Sequence, residues 1–355
     1  MNKTAKIIAA FAKCWLRYYL QGRPLWAILY VTRKCNLACR YCLFKNDGST
    51  DPPIEDIDLY LNKIKETGCN IISITGGEPT LRKDLPEIIA RCKEKNIISY
   101  LNTNGHLLTA ASVDELGAAG LDMVNISLDS VSPNPNSNKD YLRMRDKIDL
   151  LIEGREKHGF AVISNQVITK DNLHEIEPLI EKLNKKGIYV AHGLKYPLAD
   201  EFDNPSDLRR LTAALSALNQ KKRAGYPIIT SKNYLDFPGK WASGPSSWNC
   251  LAGSAFFVVD LDGSVLGCDR LPATGMHIGD LTKREFNRVR TETRAKKDFP
   301  TCSKTCLINC AFETSHICSI PSIFLKELLR TLPAVSSATL KNPRKTAGGI
   351  SQRSS

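Results

Sequence analysis

Residues 25–42 read LWAILYVTRKCNLACRYC, a short apolar run rich in β-branched and aromatic residues that ends in a polar loop carrying Cys35, Cys39 and Cys42. The run has the length and composition of a buried strand. Similar runs recur at 71–75, 98–102, 123–128, 160–168 and 188–194. Between them, helical segments open at capping-box spacing: Asp84 with Glu87, Ser112 with Glu115 and Asn172 with Glu175. Six successive β/α units predict an α/β fold with a parallel sheet, a partial (β/α)6 TIM-type barrel with its helices outside. Chemistry in such folds collects at the C-terminal ends of the strands. The unusual residues fall there: Cys35 after the first strand, Gly76-Gly77-Glu78-Pro79 after the second, Asn102-Thr103-Asn104-Gly105 after the third, and Ser127 and Asp129 on the fourth.

The chain has 355 residues, of which 42% are apolar and 24% charged, which excludes a collagen-like, wholly disordered or polytopic membrane protein. Its net charge of +12 is concentrated at the ends: residues 1–23 and 321–355 contribute +5 each, leaving +2 between them. The basic balance is therefore no argument for a nucleic-acid partner. In the first 23 residues Ile7, Phe11, Trp15 and Tyr18 recur at helical spacing while Lys6, Lys13 and Arg17 lie on another face. A basic amphipathic helix of this kind either lies on an anionic membrane or docks on the barrel. No run approaches the ~18 apolar residues of a membrane span and the N-terminus lacks the pattern of a signal peptide, so a cytoplasmic protein is expected, with peripheral membrane contact through residues 1–23 as the variant.

Twelve cysteines are many for such a chain, and most are grouped. A structural zinc ion takes four protein ligands, whereas three cysteines on a four-iron cluster leave one iron open to an exogenous ligand. An incomplete set of Cys35, Cys39 and Cys42 suits a reactive cluster better than a structural metal. The second group comprises Cys250, Cys268, Cys302, Cys306, Cys310 and Cys318, while Cys14, Cys69 and Cys92 stand apart as buried or incidental thiols.

The Cys-x3-Cys-x2-Cys trio after a strand, with Tyr41 just before its last cysteine, resembles the radical S-adenosylmethionine superfamily, and Gly76-Gly77-Glu78-Pro79 resembles that family's second-strand motif. The resemblance implies a 4Fe-4S cluster on the trio, S-adenosylmethionine chelated to its open iron, and one-electron cleavage to a 5′-deoxyadenosyl radical that takes hydrogen from a substrate. It also implies cofactor contacts by Tyr41, Gly76, Gly77, Glu78 and Pro79, and by Asn104, Ser127 and Asp129 toward the ribose and carboxylate. The glycines would allow close backbone approach and Glu78 would accept from an ammonium. Asn165 and Gln166 are weaker candidates for the same role. A flavodoxin or ferredoxin would supply the electron. His106, His192 and His277 are the candidate proton donors; no catalytic residue is assigned.

Cys250-x12-Gly263-x4-Cys268 resembles the opening of the SPASM or twitch extensions of that superfamily, where a hairpin brings two cysteines to an auxiliary 4Fe-4S cluster. The remaining spacing departs from the full SPASM pattern, which favours one auxiliary cluster on Cys250 and Cys268 with ligands drawn from Cys302, Cys306 and Cys310. Zinc would suit four thiolates equally. The expected organisation is an N-terminal helix (1–23), the barrel (24–200), a bridging region (201–247) with a helix near 205–223, a SPASM- or twitch-like segment (248–320) with a hairpin around Asp262-Gly263, and a basic tail (321–355). Peptide modification is the favoured reading, with a small molecule or lipid as the other substrate class; no peptide-binding winged helix is evident ahead of the barrel. A non-catalytic iron–sulfur carrier or zinc module would have no need of Glu78 or the polar strand ends.

Overall fold

The computed structural model describes residues 3–42, 44, 46–242, 248–282, 284–296 and 306–319. The six expected strands are all present: β1 (Trp26–Thr32), β2 (Ile71–Gly76), β3 (Ile98–Thr103), β4 (Met123–Ser127), β5 (Ala161–Ile168) and β6 (Tyr189–Leu194). They alternate with α2 (Ile54–Glu66), α3 (Leu85–Glu94), α4 (Ala110–Ala119), α5 (Tyr141–His158) and α6 (Ile176–Asn184), preceded by α1 (Lys3–Gln21). The chain continues through α7 (Leu198–Glu201), α8 (Pro205–Arg223) and α9 (Lys232–Ala242) to β7 (Phe256–Val259), β8 (Ser264–Leu266), β9 (Met276–His277), α10 (Phe286–Lys296) and α11 (Asn309–Ser319).

Among the described residues the strands form one sheet in the order β6-β5-β4-β3-β2-β1-β7-β8-β9, parallel from β6 to β7 and antiparallel beyond. The sheet is open, with β6 and β9 at its edges. The hairpin around Asp262-Gly263 is β7 and β8, with Gly263 at φ +79°. It extends the barrel sheet rather than standing apart, because β7 pairs in parallel with β1.

Strand alternation divides the packing. Ala27, Leu29 and Val31 of β1 face the apolar sides of the outer helices, with Ile57, Leu61 and Ile64 of α2 among their neighbours. Ile28 and Tyr30 face the other way, toward Cys268, Leu271 and Ala311. On that concave side Asn102 donates to Ser73 Oγ at 2.7 Å and Asn125 donates to Asn102 Oδ1 at 2.8 Å, a polar ladder across β2, β3 and β4.

All three expected helix starts differ in their chemistry. α4 is capped three residues early, by Thr109 with Ser112 returning a bond in a reciprocal box, because both hydroxyls reach the free N–H groups there. Asn172 does not cap with its side chain; its amide is taken by the carbonyls of Asp129 and Val167. Asp84 precedes α3, but its carboxylate is paired with Arg82 rather than with a helix N–H. In the bridging region α8 falls where expected, and α9 is an added helix that contains Pro238.

The N-terminal helix docks. Ile7, Phe11, Cys14 and Tyr18 of α1 pack with Leu25, Ile71, Ile98 and Met123 at the strand starts, sealing the underside of the sheet. Lys6 pairs with Asp122 at 3.2 Å, and Asp122 also accepts the Ser99 backbone N–H at 3.1 Å. Asp122 is almost fully buried, so removing its carboxylate strands a buried donor and a cation. Replacing Asp122 with Ala should cost about 1–3 kcal/mol, seen as a lower urea midpoint at unchanged slope. An unchanged midpoint would refute this account of how α1 is held.

Candidate active site at the strand ends

The loop that follows β1 carries the three thiols, and its first residues are held by backbone contacts with the end of β2. Gly77 N donates to Thr32 O and Glu78 N to Lys34 O, both at 2.8 Å, so pairing of the two chains continues past the strands. A Cβ at Gly76 would fall onto the Thr32 carbonyl oxygen, and one at Gly77 onto that of Lys34. Gly76 also has φ +142°, a conformation that L side chains rarely adopt. The space left by the two missing side chains is thus filled by the chain leading to Cys35, which is a different use from the approach of a ligand expected from the sequence.

Glu78 is likewise engaged by the protein. Only 1% exposed, it accepts from Thr80 N at 3.1 Å and from the hydroxyls of Thr80 and Thr103 at 2.6 Å on Oε1, and from Asn104 N at 2.7 Å on Oε2. Its carboxylate ties the end of β2 to the end of β3, leaving Oε2 with the single protein donor. Pro79 is buried and opens the short 3-10 turn Pro79–Leu81 that Glu78 caps. Asn104 donates to Asn36 Oδ1 at 2.8 Å and accepts from His106 N at 3.0 Å, so it braces the cysteine loop from β3.

Asp129 holds the far side of the loop. Its carboxylate receives the Tyr41 hydroxyl, the Ser137 hydroxyl at 2.5 Å and the Val167 N–H at 3.0 Å, and pairs with Lys139 at 3.4 Å. Burial, together with the Asp129 charge, keeps the Tyr41 hydroxyl well above its usual range, so it stays a donor. Burial pulls Lys139 down, but Asp129, Tyr41 and Cys39 outweigh it and hold the ammonium above its ordinary value. With four protein partners and 1% exposure, the Asp129 carboxylate positions Tyr41; three of the partners share Oδ2, and Val167 N–H bonds Oδ1. Gln166 is also structural, donating to the Asp129 carbonyl from a fully buried side chain.

Ser127 and Asn165 differ from these braces. They are register partners on β4 and β5, half-buried, and neither side chain makes a hydrogen bond among the described residues. They are the strand-end polar groups available to a ligand. The three candidate histidines each have a protein partner: His192, on β6, is fully buried and bonded to Thr230, with burial and nearby Lys222 pushing it down to about 3. His106 is bonded to the Asn138 carbonyl and His277 to that of Asp262.

Cys35 and Cys39 are part-buried and Cys42 is exposed. Burial raises the Cys35 and Cys39 thiols, and Cys39 lies within electrostatic reach of both other members. Among the described residues no three His, Cys, Asp or Glu side chains converge on one ion position. A 4Fe-4S cluster does not require such convergence, because each thiolate binds its own iron. Three thiols on one loop at the rim therefore fit that group in the chemistry of their donor set.

The C-terminal thiols divide in two. Cys268, Cys306 and Cys310 lie within electrostatic reach of one another, and burial pushes the Cys310 thiol up to about 12. Cys250 borders the same apolar cluster. Trp248 Nε1 and Tyr234 Oη hold the Cys306 and Leu307 carbonyls at 2.8 and 2.7 Å, and Asn309 reaches the His192 carbonyl at 2.7 Å. Cys318, roughly 12 Å further along α11, packs with α1 instead. Cys302 and the basic tail lie outside the described residues. Asn36, Ser137 and Lys139 were not singled out in the sequence, and only the polar character of the loops flanking the cysteines and strand ends could have marked them.

The model of the Radical SAM superfamily matches residues 29–183. Curated relatives include an Fe-coproporphyrin III synthase of Methanosarcina barkeri, 27% identical over 63% of this chain and 59% of the relative. A probable GTP 3′,8-cyclase of Sulfolobus acidocaldarius is 36% identical over 46% of this chain and 53% of the relative. Another, of Saccharolobus islandicus, is 30% identical over 57% of this chain and 68% of the relative. The chain thus spans little more than half the length of the first two. In fold it is similar to Streptococcus suis SuiB bound to the precursor peptide SuiA, with TM-score 0.60, 20% identity and coverage of 76% of this chain and 66% of that one. It is also similar to anSMEcpe with bound AdoMet, with TM-score 0.59, 16% identity and coverage of 85% and 99%. Sequence and fold agree: the chain belongs to the radical SAM superfamily.

Proposed function

We propose that this chain cleaves S-adenosylmethionine reductively and turns the product on a C–H bond of a peptide substrate. The observation that carries this reading is the three-thiol loop, fixed at the sheet rim by the Gly76-Gly77 backbone on one side and by the Tyr41–Asp129 contact on the other. A 4Fe-4S cluster with S-adenosylmethionine on its open iron supplies, when bound, one-electron cleavage of the sulfonium to a 5′-deoxyadenosyl radical.

The chain's own residues have separable tasks. Cys35, Cys39 and Cys42 would hold the cluster, and exposed Cys42 beside Arg40 leaves a surface at which a flavodoxin or ferredoxin could dock. Gly76, Gly77, Glu78 and Pro79 form the rim at which the methionine amino group would be held. Ser127 and Asn165 offer a hydroxyl and an amide to the ribose. Tyr41, Asn104 and Asp129 are positioning residues that act through the loop. The Ser73–Asn102–Asn125 ladder gives the concave face polar groups for a substrate, and Asn125 Oδ1 is buried without a partner among the described residues. Cys250, Cys268, Cys306 and Cys310, with Cys302, are the candidates for one auxiliary 4Fe-4S cluster, whose role with full cysteine ligation would be electron transfer.

A peptide is favoured because SuiB, whose fold resembles 76% of this chain, was solved with a precursor peptide, and anSMEcpe was solved with a bound Cp18Cys peptide. The second reading is the same chemistry on a small molecule, supported by the relatives named as a GTP 3′,8-cyclase and an Fe-coproporphyrin III synthase.

Anaerobic protein given dithionite and S-adenosylmethionine should release 5′-deoxyadenosine, measured by mass spectrometry, and replacement of Cys35, Cys39 and Cys42 by Ala should abolish it. Reconstituted protein with clusters and no cleavage would overturn the reading. Unmodified peptides should raise the rate of deoxyadenosine release; stimulation by GTP or coproporphyrin and by no peptide would move the assignment to the small-molecule class. Gly77→Ala leaves every thiol in place yet collides with the Lys34 carbonyl, so it should lose most of the rim cluster's iron; full iron content would remove the glycine's assigned role. Double replacement of Cys306 and Cys310 by Ala should lower iron from about eight to about four per chain while the rim cluster stays loaded. An unchanged iron content would eliminate the auxiliary site.

A further inference from the structure

The underside of the molecule, opposite the cysteine rim, has a surface that the proposed chemistry does not use. α1 buries one side on the strand starts, and its outer side presents Leu16, Tyr19 and Leu20 at 51%, 38% and 72% exposure. These are three of the seven large apolar side chains exposed among the described residues, and they fall within five residues of one helix. Helical spacing sets Leu16 beside Lys13 and Leu20 beside Arg17, each three residues away. Apolar and basic side chains therefore form one continuous strip.

The basic side of that strip opens into a cleft of about 620 Å³ lined by Lys13, Arg17, Arg23 and Lys65 together with Gln21 and Asn70, with no acidic residue in its wall among the described residues. The cations come from α1, the turn after it and the end of α2, so the fold gathers them. Arg17 is anchored by donation to the Gly68 carbonyl at 3.2 Å, and the Arg23 stem lies over Gly68. From α10, Arg290 approaches Gly22, and both Arg290 and Arg294 act electrostatically on Tyr18, extending the positive surface.

We propose that this face docks on an anionic lipid bilayer, with Leu16 and Leu20 entering the headgroup layer and Lys13, Arg17, Arg23 and Lys65 receiving lipid phosphates. Charge complementarity selects this occupant: a cleft walled by four cations suits clustered phosphates, and the exposed leucines beside it suit the acyl boundary. Among the described residues no helix is long and apolar enough to cross a membrane, so the contact would be peripheral. Docking through α1 does not require the helix to leave the barrel, because its buried and outward sides are different faces. It also turns the cysteine rim away from the bilayer.

The test is co-sedimentation of the full-length protein with phosphatidylcholine vesicles and with vesicles that include about 30% phosphatidylglycerol. Binding is expected only to the anionic vesicles and should weaken as NaCl rises from roughly 0.1 to 0.5 M. Arg17→Glu with Lys65→Glu, and separately Leu20→Ser, should each reduce binding about tenfold or more. Leu20 is largely exposed, so its replacement leaves the packing of α1 intact, and circular dichroism checks each variant. Failure of the wild-type protein to bind anionic vesicles would overturn the proposal. So would undiminished binding by both folded variants, which would assign the contact to another part of the chain.

Discussion

The rim depends on one apposition of backbones. The chain leaving β1 and the chain leaving β2 run so close at Thr32 to Lys34 and Gly76 to Glu78 that no side chain fits between them. Two hydrogen bonds are gained there, and the direction of the cysteine loop is set before any side chain of the loop takes part. The braces build on that starting point: Glu78 reaches across to Thr103 and Asn104, Asn104 reaches back to Asn36, and Tyr41 reaches out to Asp129. Each contact restrains a different part of the loop, and together they connect the first four strands.

This arrangement adds a structural task to the expected division of labour. Glu78 and Asp129 stood out in the sequence as ligands for a cofactor, but both are almost fully buried carboxylates that accept several hydrogen bonds from the protein. A buried carboxylate with several donors is preorganised and expensive to disturb, which suits a brace better than a group that must open for each turnover. The groups left open, Ser127 and Asn165, are uncharged, neighbouring and half-buried. At the rim, uncharged side chains are thus the ones left without hydrogen bonds among the described residues, while the charged side chains maintain shape.

The sheet was legible because strand identity is local: alternating β-branched runs located all six barrel strands within about two residues. The Asp262-Gly263 turn was legible for the same reason, since a turn type depends on a dipeptide. Less accessible were features decided by partners distant in sequence. Asn172 has the spacing of a helix cap, yet it serves Asp129 and Val167. The Thr109 box won over Ser112 because both hydroxyls are satisfied at once. Pairing of β7 with β1 joins residues some 230 apart, and no local pattern announces it. The cysteine groups were readable as groups, but the separation of Cys318 from Cys306 and Cys310 required the direction of α11.

That pairing has a bearing on biogenesis. β1 is an interior strand of the finished sheet, with β2 on one side and β7 on the other, but β7 is synthesised long after β6. Until residue 259 has emerged, the strand that presents the cysteine loop has one edge unpaired, a row of free N–H and C=O groups of the kind that invites association with another chain. The nascent barrel is therefore most vulnerable at the strand that bears its oxidisable thiols, and completing the C-terminal hairpin is the step that closes this edge.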